Sequence, residues 1–350
     1  MSKDQQLVIK SYLGSLPKRI NSQEKIDALT YFAQGAARCG DHATTTQSSV
    51  YEPCDVGAII GNAFDANPGK VTLPHYKVRK MVIDTQTQLK RYWLSIDSNV
   101  FIYKDRTNPH KYLRYSFNGV FPKTGIYCND APGEENWNNI KKHYSMDLKP
   151  WRTQGNHILI TLQRPMGWSM RGYNLMDWLE KTFKEIRKYS NRPIVIRWHP
   201  GDWKNFPKYE SIVKKYNATI SPQEKHILED LKNCWALVCH NSTPSSVATI
   251  EGIPAFITDD PGYCQAGPVA NRDFSQLENP IMADRDLWIR QLAQCHWNFE
   301  DVKSGRCWAH MRQWVKPSVL SSKQNSLCVC LVCYYDAAQF VHGYFYLNQF

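Results

Sequence analysis

The chain has 350 residues, which suggests about two domains at ~150 residues each. Hydrophobic residues make up 42% and charged residues 21%, and no long apolar run occurs, which excludes a wholly disordered chain, a coiled coil and a membrane-spanning protein. The net charge of +11 favours a polyanionic partner such as nucleic acid, or a phosphate-bearing substrate, although a generally basic surface explains it equally well.

The N-terminal half, residues 1–150, is predicted to be an irregular α/β domain. A strand at Gln5–Tyr12 precedes a helix that begins behind Ser22 and ends near Gly35. Polar turns bound three further short strands, at Asp55–Ile60, Lys80–Asp84 and Val100–Tyr103. Asn, Gly, Pro and aromatic residues crowd the stretch 105–150, which predicts long loops there.

The second half, residues 151–316, alternates short strands and helices regularly. Strands are predicted at His157–Leu162, Pro193–Arg197, Trp235–Cys239 and Pro254–Thr258. Apolar residues at helical spacing predict helices between them, over 175–186, 209–216, 227–231 and 245–251. This order is typical of an α/β fold in which helices cover both faces of a parallel sheet.

The last segment, residues 317–350, differs from the rest of the chain. It contains only two charged residues, Lys323 and Asp336, and none of the twelve tryptophans. Three of the eleven cysteines lie there, but their spacing makes a poor tetrahedral metal site. We therefore expect an atypical tail outside the fold. The first ten residues show no signal peptide, so we expect a cytoplasmic protein with reduced cysteines that does not bind membranes.

Polar clusters follow three predicted strands, and they would share one crevice because open parallel sheets bind ligands at the carboxyl ends of their strands. The clusters lie at 163–170, 197–202 and 240–246. In the third, Ser242 or Thr243 can cap a helix that begins at Pro244. Free backbone N–H groups at Ser245 and Ser246 would then form a phosphate site. A capped helix without a ligand is the simpler alternative.

Side chains at the other strand ends could complete this phosphate site. Arg164 and Arg197 can each direct a fork of donors at the same phosphates. His199 could contact a diphosphate, or it could be only a hydrogen-bonded turn residue before Pro200. Glu251, about two turns into the helix of the third cluster, could accept hydrogen bonds from sugar hydroxyls.

The common nucleotide-binding fingerprints are missing from the chain. It has neither the glycine-rich phosphate loop of NTPases nor the dinucleotide motif. A D-x-D sequence at 284–286 is of the kind that metal-dependent sugar transferases use. It follows no predicted strand, so we interpret it as a helix cap and predict no metal.

Several short motifs between Pro150 and Pro254 belong together: Pro-Trp-Arg at 150–152, Gln-Arg-Pro at 163–165, Gly-Trp-Ser-Met at 167–170, Arg-Pro-Ile-Val-Ile-Arg-Trp-His-Pro-Gly-Asp at 192–202, His-Asn-Ser-Thr-Pro-Ser-Ser at 240–246 and Glu-Gly-Ile-Pro at 251–254. This part of the chain resembles the donor-binding half of GT-B glycosyltransferases, especially phage-type enzymes that place glucose or arabinose on hydroxymethylated cytosine in DNA. The His-Pro element and the serine-rich helix start are also similar to those of capsule-polysaccharide transferases that use nucleotide sugars.

The resemblance implies two Rossmann-like domains whose parallel sheets face a central cleft, an acceptor-binding domain at 1–150 and a donor-binding domain at 151–316. It implies a UDP-sugar as co-substrate, with no tightly bound cofactor. By this resemblance Arg197 and His199 meet the diphosphate, and Glu251 meets the ribose. The full set of predicted donor-binding residues is Gln163, Arg164, Arg197, His199, Ser242, Thr243, Ser245, Ser246 and Glu251.

Transfer of a sugar needs a general base that deprotonates the acceptor hydroxyl. Asp41, which follows Gly40 in a predicted loop, is the candidate for this base, and Asp55 and Asp84 come next. A solvent-facing turn residue is the alternative interpretation of Asp41. The resemblance also implies an enzyme that works without a metal, since a helix dipole and arginines can stabilise the leaving diphosphate.

Double-stranded DNA is the predicted acceptor, which would place a phage-encoded enzyme in the host cytoplasm. Basic and aromatic residues could contact its phosphates and stack a displaced base: Lys77, Arg79, Lys80, Lys90, Arg91, Tyr92, Trp93, Lys104, Arg106, Lys111 and Arg114. A solvated basic face explains these residues almost as well. Two other functions stay open, a transferase for a polysaccharide or lipid-linked acceptor and a non-catalytic nucleic-acid-binding protein.

Overall fold

A computed structural model describes residues 6–17, 23–63, 72–101, 112–165, 168–202, 207, 209–222 and 224–316. The predicted tail at 317–350 lies outside the described residues, as do Ser22, Lys104, Arg106 and Lys111. Gln6–Trp314 groups into one unit that contains both sheets described below.

The described strands are β1 (Val8–Tyr12), β2 (His42–Thr46), β3 (Val56–Ile60), β4 (Tyr92–Asp97), β5 (Leu113–Phe117), β6 (His157–Thr161), β7 (Ile194–Arg197), β8 (Thr219–Ile220), β9 (Cys234–Cys239), β10 (Ala255–Ile257) and β11 (His296–Trp297). The described α-helices are α1 (Gln23–Arg38), α2 (Pro74–Gln88), α3 (Glu135–Tyr144), α4 (Leu175–Tyr189), α5 (Glu210–Lys215), α6 (Ile227–Asp230), α7 (Pro244–Ile250), α8 (Asp286–Gln294), α9 (Phe299–Ser304) and α10 (Arg306–Met311).

The first sheet has the strand order β11-β5-β4-β3-β1-β2. Strands β1 to β4 run parallel to one another, β5 is antiparallel to β4, and β11 is antiparallel to β5. All five residues of β3 are buried, which explains why this central strand is a continuous apolar run. Parallel neighbours need a crossover, and α1 and α2 supply it.

The second sheet is parallel throughout, with the order β10-β9-β6-β7-β8. Numbered from β6, this is the order 3-2-1-4-5 of a Rossmann-like sheet. Helix α4 covers one face, where Leu179, Phe183 and Ile186 pack with Ile158 and Ile160. The predicted α/β class with two Rossmann-like, mainly parallel sheets is confirmed.

The C-terminal part of the described chain returns to the first sheet. His296 pairs with Arg114 across β11 and β5, and α9 packs against α1. A side chain at Gly35 would clash with the carbonyl of Val302, so glycine permits this close approach of the two helices. The stretch 296–314, which the sequence assigns to the donor-binding domain, thus belongs to the fold of the N-terminal half. The binding roles of the two halves stay predictions.

Local predictions fail mainly in the N-terminal half. Lys80–Asp84 is not a strand but the middle of α2. Val100 and Phe101 are buried outside any strand, and the rest of the strand predicted there lies outside the described residues. The supposed loops at 105–150 contain β5 and α3, where Trp137 and Ile140 are buried. The helices and strands predicted between 157 and 258 are all confirmed, with ends shifted by one or two residues in most of them.

Candidate functional site

The second sheet changes the direction of its strand order between β6 and β9, the point where sheets of this type bind ligands. The chain segments that follow these two strands are joined there by side chains. Thr161 Oγ1 lies 3.2 Å from Ser242 Oγ. Gln163 donates to Asn241 Oδ1 at 2.8 Å and accepts from the amide of Asn241 at 3.1 Å. Two of the predicted donor-binding residues, Gln163 and Ser242, therefore lie at the switch point.

Arg164 and His199 also meet, at the ends of β6 and β7. The Nδ1 atom of His199 accepts from the amide of Gly201 at 2.9 Å and from Arg164 Nε at 3.3 Å. Burial and the Arg164 guanidinium lower the pKa of His199, so the ring is neutral and carries its proton on Nε2. The Arg164 guanidinium supplies a positive charge, and the neutral His199 ring supplies an N–H donor beside it. This pair suits a phosphate.

Arg197 is engaged elsewhere. Its Nη1 pairs with Asp230 Oδ2 at 2.6 Å, and the Asp230 side chain is fully buried. Lys225 and Ser221 also contact the Asp230 carboxylate. This placement favours a structural role for Arg197 over the predicted phosphate contact, because removal of its guanidinium would leave the buried Asp230 charge poorly compensated.

The start of α7 differs from the predicted phosphate site. Pro244 is the first helical residue, as predicted, but the Thr243 side chain makes no capping hydrogen bond. Ser245 and Ser246 are fully buried, and Ser245 Oγ donates to the carbonyl of Ser242 at 2.7 Å. Of the four predicted hydroxyls, only those of Ser242 and Thr243 belong to partly exposed residues.

Glu251 lies at the opposite ends of the strands of the second sheet from the switch-point residues. It follows α7 directly and precedes β10, so it is at the amino ends of the strands, whereas Ser242 is at the carboxyl ends. Its carboxylate pairs with Lys149. The neighbouring Gly252, at φ +77°, accepts a hydrogen bond from the amide of Arg152 and would clash with Pro150 if it had a side chain. This placement favours a structural role for Glu251 over the predicted ribose contact.

Asp41, the predicted base, also lies at the amino ends of its strands, just before β2. Its carboxylate accepts from the Leu7 amide, from Trp308 Nε1 and from two nitrogens of Arg312. Burial alone would raise the pKa of Asp41, but these hydrogen bonds outweigh it and the pKa lies below its ordinary value. A carboxylate so fully engaged is a poor proton acceptor, so the geometry favours a structural role here too.

Sequence reasoning missed a connected polar network beside the switch point. Asp259, just after β10, accepts from Arg171 Nη1 at 2.8 Å and from Asn241 Nδ2 at 2.7 Å. His240 Nε2 is 3.7 Å from the same carboxylate, and Tyr173 packs edge-on against the His240 ring at 5.2 Å. His240 was visible as part of a strand-end motif, but Asp259 and Arg171 belong to loops without any such signal.

The first sheet has its own charged group at the carboxyl end of β4. Asp97, the last residue of β4, pairs with Arg114 Nη2 at 2.6 Å. Arg79 donates to the carbonyl of Ser15 at 2.8 Å, and burial lowers the pKa of its guanidinium to about 10. Asp55, predicted as a reserve base, lies instead at the amino end of β3, where it accepts from the Val8 amide. Of these carboxylates, Asp97 is thus the one at the carboxyl end of its strand, where parallel sheets bind ligands.

The described residues among those predicted to contact DNA differ in exposure and in their partners. Trp93 is 5% exposed and part of a buried cluster, so its ring cannot stack a base. Arg91 donates to the carbonyl of Cys54, and Lys80 pairs with Asp84. Of the exposed residues, Lys77 lies near the start of α2 and Lys90 lies just beyond its end.

Four further observations concern the described residues alone. They contain no group of three or more His, Cys, Asp or Glu side chains that could bind a metal ion. Asp284 accepts from the amide of Asp286 at 3.0 Å at the start of α8, whose N-cap position is Arg285 without a side-chain capping hydrogen bond. All eight described cysteines are free thiols. None of the described helices is long and apolar enough to cross a membrane.

Comparison with known proteins gives distant structural similarity only. No protein-family model matches the chain, and no curated protein matches its sequence. The β-Kdo 2,4 transferase of Thermosulfurimonas dismutans KpsC is 11% identical, with 83% of this chain and 90% of that chain covered and a TM-score of 0.48. The β-Kdo 2,7 transferase of the same KpsC is 11% identical, with 89% and 100% covered and a TM-score of 0.47. A UDP-GlcNAc 2-epimerase of Methanocaldococcus jannaschii, in complex with UDP-GlcNAc and UDP, is 12% identical, with 82% and 80% covered and a TM-score of 0.31.

Proposed function

We propose that the protein is a glycosyltransferase that uses a nucleotide sugar, with its donor site at the switch point of the second sheet. One observation carries the proposal: Arg164, neutral His199 and the hydroxyl of Ser242 stand at the ends of three strands, β6, β7 and β9. A cation and two neutral donors in this arrangement suit a diphosphate. The motif resemblance at 150–254 adds support, since the same residues carry it.

In the proposed reaction, the acceptor hydroxyl attacks the anomeric carbon of the sugar. The bond from that carbon to the diphosphate oxygen breaks, and Arg164 and His199 stabilise the charge on the leaving nucleoside diphosphate. Asp97 takes the proton of the acceptor hydroxyl, as a general base. Its position at the carboxyl end of β4 and its 20% exposed side chain support this role, and Arg114 fixes its orientation.

We further propose that the donor is a UDP-sugar and that the acceptor is hydroxymethylcytosine in double-stranded DNA. The net charge of +11 and the resemblance to phage-type enzymes support this acceptor. The described basic residues between 77 and 114 add little support for a DNA acceptor, because most of them already contact other protein groups.

The test is incubation of the protein with hydroxymethylcytosine DNA and a panel of UDP-sugars, followed by mass spectrometry of the nucleosides. The expected result is a nucleoside that has gained one sugar. A matched reaction with unmodified DNA should show no gain. UDP-sugar binding without any DNA product would favour a polysaccharide acceptor, and DNA binding without UDP-sugar binding would favour a non-catalytic nucleic-acid-binding protein.

A further inference from the structure

His240 has a buried ring nitrogen that the described residues leave without a hydrogen bond. The residue is 2% exposed, and its Nε2 atom has no partner within hydrogen-bond distance in the described structure. The other ring nitrogen, Nδ1, lies 3.0 Å from Thr258 Oγ1. A buried polar atom without a partner costs free energy, so its presence at a strand end calls for an explanation.

The neighbouring carboxylate has capacity for one more hydrogen bond. Asp259 Oδ1 accepts from Arg171 and from the amide of Asp260, whereas Oδ2 accepts from Asn241 alone among the described residues. Each carboxylate oxygen can accept about two hydrogen bonds. His240 Nε2 and Asp259 Oδ2 are 3.7 Å apart, too far for a direct hydrogen bond but close enough for one hydroxyl to contact both.

An exposed aromatic ring lies over this pair. Tyr173 is 60% exposed and packs edge-on against His240. Its loop contains two consecutive residues in the left-handed region, Arg171 at φ +48° and Gly172 at φ +84°. Arg171 is held in this conformation by its ion pair with Asp259 and by stacking 3.6 Å above the Tyr263 ring. The loop therefore keeps Tyr173 at the surface beside the polar pair.

We propose that His240, Asp259 and Tyr173 bind the sugar moiety of the donor. One sugar hydroxyl bridges His240 Nε2 and Asp259 Oδ2, and the apolar face of the sugar ring packs on Tyr173, which turns aside from His240 to admit it. The location fits, because His240 and Asn241 follow β9 directly, next to Ser242 in the proposed diphosphate site. This inference rests on the proposed function and makes the three side chains determinants of sugar specificity.

The test compares the affinities of UDP and of UDP-sugars by calorimetric titration. UDP-glucose, UDP-galactose, UDP-N-acetylglucosamine and UDP-arabinose are titrated, and the tightest of them serves as the probe. His240→Asn retains a polar group near Thr258 but lacks Nε2, and Tyr173→Ala removes an exposed ring without opening the core. Both variants should bind the probe about three- to tenfold more weakly and UDP with unchanged affinity.

Two control variants make the result specific. Tyr173→Phe keeps the ring and should bind the probe like the wild type. Tyr189→Ala removes another exposed tyrosine, at the C-terminal end of α4, and should leave the affinities for the probe and for UDP unchanged. Wild-type affinity of the Tyr173→Ala variant for the probe would overturn the inference but leave the proposed donor site standing. A wild-type protein that binds neither UDP nor any UDP-sugar would overturn the proposed function and this inference together.

Discussion

Arg312 donates two hydrogen bonds to the Asp41 carboxylate, at 2.8 Å to Oδ2 and 3.0 Å to Oδ1, although the two residues are 271 positions apart in the sequence. Trp308 donates to the same carboxylate. These contacts join the last described helical segment to the start of β2. They stabilise the fold, and they favour a structural role for Asp41 over the predicted catalytic one.

Replacement of Asp41 by Asn should therefore reduce the stability of the fold and leave the rate of sugar transfer unchanged. The amide loses the ion pair with Arg312, and hydrogen bonds to a charged group are worth roughly 1.5–3 kcal/mol each. We expect a clear fall in the free energy of unfolding, measured in urea, with sugar transfer per folded molecule unchanged. A fall in transfer by 10²-fold or more in a stable Asp41→Asn protein would restore Asp41 as the base.

The tail beyond Lys316 should be dispensable, whereas the segment before it should not. A protein truncated after Lys316 keeps Arg312 and Trp308, so its melting temperature and its UDP affinity should match those of the full chain. Truncation after Gly305 removes the partners of Asp41 and exposes the helix α1 face that Trp308 covers, and it should prevent stable folding. A drop of several degrees in the longer variant, measured by calorimetry, would show that the tail stabilises the rest of the protein.

Gly201 provides a specific test of the diphosphate site. A methyl group at Gly201 would occupy the position of the Arg164 guanidinium, which is the flexible end of an exposed side chain and can move away. Gly201→Ala should thus weaken UDP binding about tenfold or more, as Arg164→Ala should, without loss of stability. Gly133→Ala is the matched control, because a side chain there has open space. Unchanged UDP affinity in both the Gly201 and Arg164 variants would remove Arg164 from the donor site.

Asp97→Asn should slow the sugar-transfer step without weakening the binding of UDP. The substitution keeps the shape of the side chain and removes the proton acceptor, so sugar transfer should fall by about 10²- to 10⁴-fold. UDP affinity should stay within twofold, because the proposed donor contacts belong to the second sheet. Asp84→Asn, at an exposed aspartate on α2, is the control and should transfer sugar at the wild-type rate. Normal transfer by Asp97→Asn would assign the base to another group.

The second sheet was predictable because its strands are short, apolar and buried on both faces, with amphipathic helices between them. The first sheet was less so for local reasons. Strand β2, His42–Thr46, lies at the sheet edge and has no run of apolar residues. The three apolar residues within Lys80–Asp84 resemble a short buried strand, although they lie inside α2.

The site was only partly predictable for a different reason. Strand-end motifs located Gln163, Arg164, His199 and Ser242, because such positions meet in any parallel sheet. The sequence carries no sign that Asp41 meets Arg312, since that contact joins residues far apart in the chain. Which polar side chains are free for a ligand depends on such long-range partners.

Acid should destabilise the protein through His296, whose ring is fully buried. Its Nε2 accepts from the Val100 amide at 3.2 Å, and its Nδ1 lies 2.7 Å from the Leu292 carbonyl. Burial and the Arg114 guanidinium lower the pKa of His296 from 6.5 to about 3. Between these values the unfolded chain binds a proton at this ring and the folded chain does not. Stability from this group is therefore complete above pH 6.5 and falls as the pH falls toward 3.

Urea unfolding at a series of pH values between 7 and 4 measures this dependence. His296→Gln keeps polar atoms in the site but cannot titrate, so its free energy of unfolding should fall less steeply with pH, by up to ~1.4 kcal/mol per pH unit. The variant's lower stability at pH 7 does not matter, since the slopes are compared. His42→Gln, at an exposed histidine on β2, should keep the wild-type slope. Equal slopes for wild type and His296→Gln would contradict the prediction, because they would mean that His296 has the same pKa in the folded and the unfolded chain.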